Sequence, residues 1–196
     1  MDYKDFIKPN NLAIFIPYWA DYDAICEDEK LVKISEFRPY YSNGMADPTP
    51  DEYDETCWVE VYDINDGETM QVQLGWLVPV EKGEGNVIYR GNSCEILYKN
   101  DEQDLIVVED MAGDKVVLSD WQWQPQRDIH DLDNEELTRL FNGCVKGSDY
   151  LSDYSNEQGV TNEQAMAFVE GFCEEIGWDD DQCTAENFIE YVRYTE

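Results

Sequence analysis

The chain has 196 residues, 45 of them Asp or Glu against 13 Lys or Arg, a formal net charge of −32, and a single His. Hydrophobic residues make up 42% and aromatics 13%, enough to bury a core and to exclude a disordered acidic tail. The charge excludes direct binding to DNA, RNA or an anionic membrane through a basic face, and one His excludes His-rich metal sites.

Residues 1–50 read as mixed, with strand patterns over 12–16 and 31–37 and nine acids against five bases. The apolar run 12–19 is too short to span a bilayer and contains Pro17. The acidic N-terminus lacks an apolar signal core, which points to a cytoplasmic protein. A turn-rich link follows around Pro48 and Pro50.

Residues 51–127 carry 18 acids and five bases and read as a β meander. Met70, Val72, Leu74, Trp76 and Val78 alternate with Gln71, Gln73 and Gly75, a period of two that predicts one strand. Asn65-Asp66-Gly67 joins it to a strand over 58–64 as a hairpin. Further strands are expected at 87–89, 94–98, 105–108 and 116–118, with turns at Gly85, Gly91, Asn100 and Gly113. Short strands at this spacing predict a small barrel or strongly bent sheet. Trp121 and Trp123 are expected on one face at a strand end, covering that barrel. No internal repeat is visible.

Residues 128–196 read as helical, with 18 acids and three bases. Asp133 and Glu136 form a capping-box pattern ahead of Leu137, Leu140 and Phe141. Thr161 opens a second helix that buries Ala165, Phe168, Val169, Phe172 and Ile176 and stops at Gly177. Thr184 caps a last helix carrying Phe188, Ile189 and Val192. The fold class is therefore α+β: an antiparallel meander or small barrel, then a compact helical C-terminal part.

The six cysteines (Cys26, Cys57, Cys94, Cys144, Cys173, Cys183) lack zinc-knuckle spacing and read as small core hydrophobes in a reducing compartment. Asp179, Asp181, Cys183 and Glu190 approach calcium-loop spacing, but the sixth place is Thr184 rather than Gly and reads better as a helix start. Asp63-x-Asn65-x-Gly67 reads as a hairpin turn. With 45 acids, a carboxylate pair at glycosidase separation arises by chance. His130, among Asp128 and Asp131, reads as a surface residue. No nucleophile elbow or phosphate loop is present, so neither catalysis nor any cofactor or metal is expected.

The acidic bias is the informative feature. Glu163, Glu170 and Glu174 fall on one helical stripe, and Glu186 and Glu190 stand four apart on the next helix. Glu175, Asp179, Asp180 and Asp181 extend the field around Trp178, a candidate aromatic anchor. At one charge per about 1.7 Å, 32 charges match roughly 54 Å of duplex, against a span on the order of 40 Å for a 196-residue domain.

In charge and size the chain resembles the acidic DNA-mimic inhibitors of phages and mobile elements, which block restriction enzymes or CRISPR effectors. That resemblance implies a basic nucleic-acid-binding protein as partner and occupation of its nucleic-acid site. Two alternatives stand beside it: an immunity protein or chaperone that neutralises a basic partner such as a nuclease toxin, and a salt-adapted protein of unrelated function.

Overall fold

A computed structural model describes residues 2–17, 29–36, 38–146, 148–178 and 181–195. The chain runs α1 (Tyr3–Phe6), β1 (Leu12–Phe15), β2 (Lys30–Ile34), β3 (Trp58–Asp63), β4 (Thr69–Gln73), β5 (Leu77–Pro79), β6 (Glu81–Lys82), β7 (Asn86–Tyr89) and β8 (Asn92–Asn100). It continues through β9 (Leu105–Glu109), β10 (Lys115–Ser119) and β11 (Gln124–Pro125) to α2 (Asn134–Lys146), α3 (Ser148–Gln158), α4 (Asn162–Ile176) and α5 (Ala185–Tyr194). The strands are antiparallel and the C-terminal part is helical, so the class is α+β. Two compact units form, residues 1–84 with 96–118 and residues 85–95 with 119–196. The composition stretches 1–50, 51–127 and 128–196 divide the chain at different places, and β1 and β2 share their sheet with β3 to β5.

In the first unit, β2 pairs with β1 along its length, with β3 through Val32–Ile34, and with β10 at Lys30. Successive side chains of a strand point to opposite faces. Ala13, Phe15, Val32 and Ile34 join Val59, Val61, Val72, Leu74 and Leu77 in one core cluster. Ile14 and Leu31 join Leu105, Val107 and Val117 in another. Burial on both faces explains why β1 and β2 read as apolar runs rather than alternating patterns.

The period-two run from Met70 to Val78 is not one strand. It breaks at a 3-10 turn over Leu74–Trp76, and β5 then pairs with β1. The Leu74 amide donates to the Cys57 carbonyl at 2.8 Å, and the Gly75 amide to the Glu55 carbonyl at 3.0 Å. A Cβ on Gly75 would lie 3.2 Å from that carbonyl oxygen, so the close approach favours glycine. The hairpin at Asn65-Asp66-Gly67 forms as expected, with Gly67 at φ 73°.

Connectivity shows a repeat that the residues do not. Beyond β10 a second 3-10 turn, Asp120–Gln122, leads into β11, which returns to pair with β7. The pairing order β5-β1-β2-β3-β4 recurs as β11-β7-β8-β9-β10.

In the second unit, α2 to α5 enclose one core containing Leu137, Leu140, Val169 and Val192 around three rings. Phe141, Phe172 and Phe188 lie with centroids 5.2 to 5.9 Å apart; burying each ring contributes about 2–3 kcal/mol. The expected caps form. Asp133 and Glu136 each accept the other's backbone amide, at 2.8 and 2.7 Å, and Thr161 accepts the Gln164 amide at 3.0 Å. Among the described residues no helix is long and apolar enough to cross a membrane.

Candidate partner-binding face

Helix α4 is amphipathic by sequence. Ala165, Val169, Phe172 and Cys173 are buried, while Glu163, Ala167, Glu170 and Glu174 form the exposed stripe. Gly177, at φ 103°, ends the helix by donating its amide to the Cys173 carbonyl at 2.8 Å. Helix α5 buries Phe188 and Val192 and exposes Glu186 and Glu190. A Cβ on Gly171 would meet the Tyr191 hydroxyl at 3.0 Å, so the α4–α5 approach is close at that point.

Glu163, Glu170, Glu174, Glu175, Asp181, Glu186 and Glu190 are all exposed, and Trp178 is 51% exposed. Asp179 and Asp180 lie outside the described residues, as do Cys26 and Phe37. Among the described residues no Lys, Arg or His comes within ion-pairing distance of the seven exposed acids.

Four arginines of this unit are engaged elsewhere. Arg127 grips Glu136 with two nitrogens at 2.7 and 3.1 Å and donates to the Asp131 carbonyl at 2.8 Å. That fork holds the Glu136 carboxyl below its usual range and raises Arg127. Arg139 pairs with Glu135 at 2.5 Å one turn away. Arg90 stacks over Tyr89, 5.1 Å from the ring centre. Arg193, placed by sequence at the end of the α5 acidic stripe, donates instead to the His130 and Leu132 carbonyls. His130 is exposed and donates Nδ1–H to the Val192 carbonyl at 3.0 Å, so its role is to tie the segment before α2 to α5.

Trp121 departs from expectation. It sits in the 3-10 turn, 64% exposed, while Trp123 is half-buried; the two do not share a covering role. Ser119 and Gln122 form a capping box at this turn, with the Ser119 amide donating to Gln122 Oε1 at 2.8 Å. That Ser-x-x-Gln spacing is the sequence signal that ends the strand before Trp121. Tyr194, 86% exposed at the end of α5, is a further aromatic that the sequence reading did not single out.

A shallow polar hollow of about 490 Å³ is lined by Gly85, Asn86, Gln126, Arg127, Asp128 and Gln164. Its one cation, Arg127, already pairs with Glu136. Among the described residues no group of three His, Cys, Asp or Glu side chains is placed to hold a metal ion. The arrangement presents fixed negative charge and exposed aromatic edges. No family model, curated protein or solved structure matches the chain.

Proposed function

We propose that this protein is an acidic inhibitor, without catalytic activity, that occupies the nucleic-acid-binding surface of a basic host-defence protein of restriction or CRISPR type. The observation that carries the reading is the set of carboxylates on α4 and α5. They are exposed, carried on helices and, among the described residues, without a cation in ion-pairing reach, while Arg90, Arg127, Arg139 and Arg193 of the same unit are engaged elsewhere. Uncompensated charge on a rigid scaffold steers a basic partner and lowers the reorganisation cost of meeting it.

Trp178 beside Asp181, with Trp121 and Tyr194 elsewhere on the same unit, favours a second reading. An immunity-type protein that neutralises a basic toxin would use such aromatics as anchors inside an acidic rim.

The test begins with capture from host lysate at low and high salt and identification of the protein retained. Competition with duplex DNA for that protein then separates the readings. Under mimicry, DNA and this protein exclude one another, and lysines at Glu163, Glu170 and Glu174 weaken binding by roughly tenfold or more. Lysines at Asp2 and Asp5 leave it nearly unchanged, because Lys4 and Lys8 already pair with those acids. Simultaneous binding of DNA and protein, or full affinity of the stripe variant, overturns mimicry through this face. Loss of binding on Trp178→Ala with the stripe variant unaffected favours the immunity reading.

A further inference from the structure

Helices α4 and α5 hold two thiols against each other. Cys173 is fully buried in the last turn of α4, and Cys183, partly exposed, directly precedes Thr184, the cap of α5. Their sulfurs are 3.3 Å apart, about 1.3 Å more than a disulfide bond. Both are carried by anchored backbone. The Cys173 carbonyl accepts the Gly177 amide, and the Thr184 hydroxyl accepts the Asn187 amide at 3.3 Å. Phe172 contacts Phe188 and Tyr191 at 5.7 and 5.5 Å, which packs the two helices together at the level of the thiols.

We propose that Cys173 and Cys183 are a reversible disulfide site, oxidised by exchange with a low-molecular-weight disulfide that enters at Cys183. The Cys183 thiolate attacks one sulfur of the small disulfide, whose S–S bond breaks, and the first small thiol leaves. Cys173 then attacks Cys183 Sγ, forms the internal bond and expels the second small thiol, which takes the Cys173 proton. Two protein thiols are oxidised and one small disulfide is reduced to two thiols, so no other electron acceptor is needed.

Order of reaction follows from environment. Burial pushes the Cys173 and Cys144 thiols up to about 12, so neither reacts first with a reagent in solution. Once Cys183 carries a mixed disulfide, Cys173 is already beside it, and the internal step outruns a second encounter with reagent. The bond closes an 11-residue loop from Cys173 to Cys183, which restricts the unfolded chain enough to shift folding roughly a hundredfold toward the native state.

The experiment incubates the folded, reduced protein with oxidised glutathione and maps its peptides without reduction. The expected result is a Cys173–Cys183 cross-link with loss of two hydrogens and no adduct, a higher melting temperature, and reversal of both by dithiothreitol. In Cys173→Ala a single glutathione remains on Cys183; in Cys183→Ser no cross-link to Cys173 forms. A stable glutathione adduct on Cys183 of the wild type overturns the proposal. So does pairing of Cys173 with Cys144 or Cys26, or a cross-link that forms only in denaturant. The wild-type peptide map decides the question even if the Cys173 variant does not fold.

Discussion

Asp63 shows how one residue in the β-rich unit is held charged inside a core. Its side chain is buried, yet it ends β3 and accepts Lys30 Nζ at 2.7 Å and the Asn65 and Asp66 amides at 2.8 and 3.2 Å. Burial pushes the carboxyl up. The ammonium and the two turn amides outweigh it and hold the carboxyl below its usual range, while Lys30 is raised by its bonds to Asp63 and Asp66. A lowered carboxyl contributes stability above its unfolded value near ~3.9, and that contribution is lost as pH falls through the lower folded value. The raised lysine contributes stability below its unfolded value near ~10.4, lost as pH rises through the folded one. Asp63→Asn is expected to cost about 2 kcal/mol near neutral pH, because it strands a buried amide beside a cation. Urea midpoints across the acid range check the sign: the gap between wild type and variant narrows as pH drops below ~4. A gap that stays constant with pH contradicts the account.

At the scale of elements, caps and close approaches decide stability. Thr161→Ala removes the acceptor for the Gln164 amide at the start of α4 and is expected to cost about 1 kcal/mol, read by denaturant unfolding. Gly143 in α2 tests a competition between propensity and packing. Alanine favours the helix by about 1 kcal/mol, but its Cβ would lie 2.4 Å from the Tyr154 ring of α3. Overpacking of that severity costs about 1–3 kcal/mol, so Gly143→Ala is expected to destabilise, and Gly143→Ala with Tyr154→Ala to recover part of the loss.

The same elements show what a sequence reveals. Helices α2, α4 and α5 were legible because Asp133, Thr161 and Thr184 cap apolar stripes. Helix α3 was not, because the face it buries is Leu151, Ser155 and Gln158, two of them polar. The break at Leu74 was hidden because alternation continues through the 3-10 turn as far as Trp76. The acidic stripe of α4 was legible from helical spacing alone. The diversion of Arg193 to two carbonyls was not, because those acceptors lie 61 and 63 residues away in the chain.

For the whole molecule the acidity is not a property of one end. The first unit has 25 acids against eight bases, and the second has 20 against five, nearly the same deficit per residue. In the second unit Arg127 and Arg139 pair with Glu136 and Glu135, away from α4 and α5. Lys4, Lys8, Lys30, Lys99 and Lys115 of the first unit each pair with acids nearby, whereas the α4 and α5 acids have no such partner among the described residues. Net charge at this level destabilises the compact state by self-repulsion. Salt therefore acts on folding and on association in opposite directions. Screening relieves repulsion, so thermal stability is expected to rise with sodium chloride and then level off, because the Debye length has already fallen from ~10 Å at 0.1 M to ~3 Å at 1 M. Binding to a basic partner is expected to weaken over the same range. Calorimetric scans and binding isotherms from ~0.05 to ~1 M salt test both limbs. A salt-adapted protein behaves differently: it unfolds at low salt, and its stability keeps climbing past ~1 M, where screening between exposed charges is already short-ranged. Such a continued climb would show that the carboxylates serve hydration rather than recognition, and the inhibitor reading would fall with it.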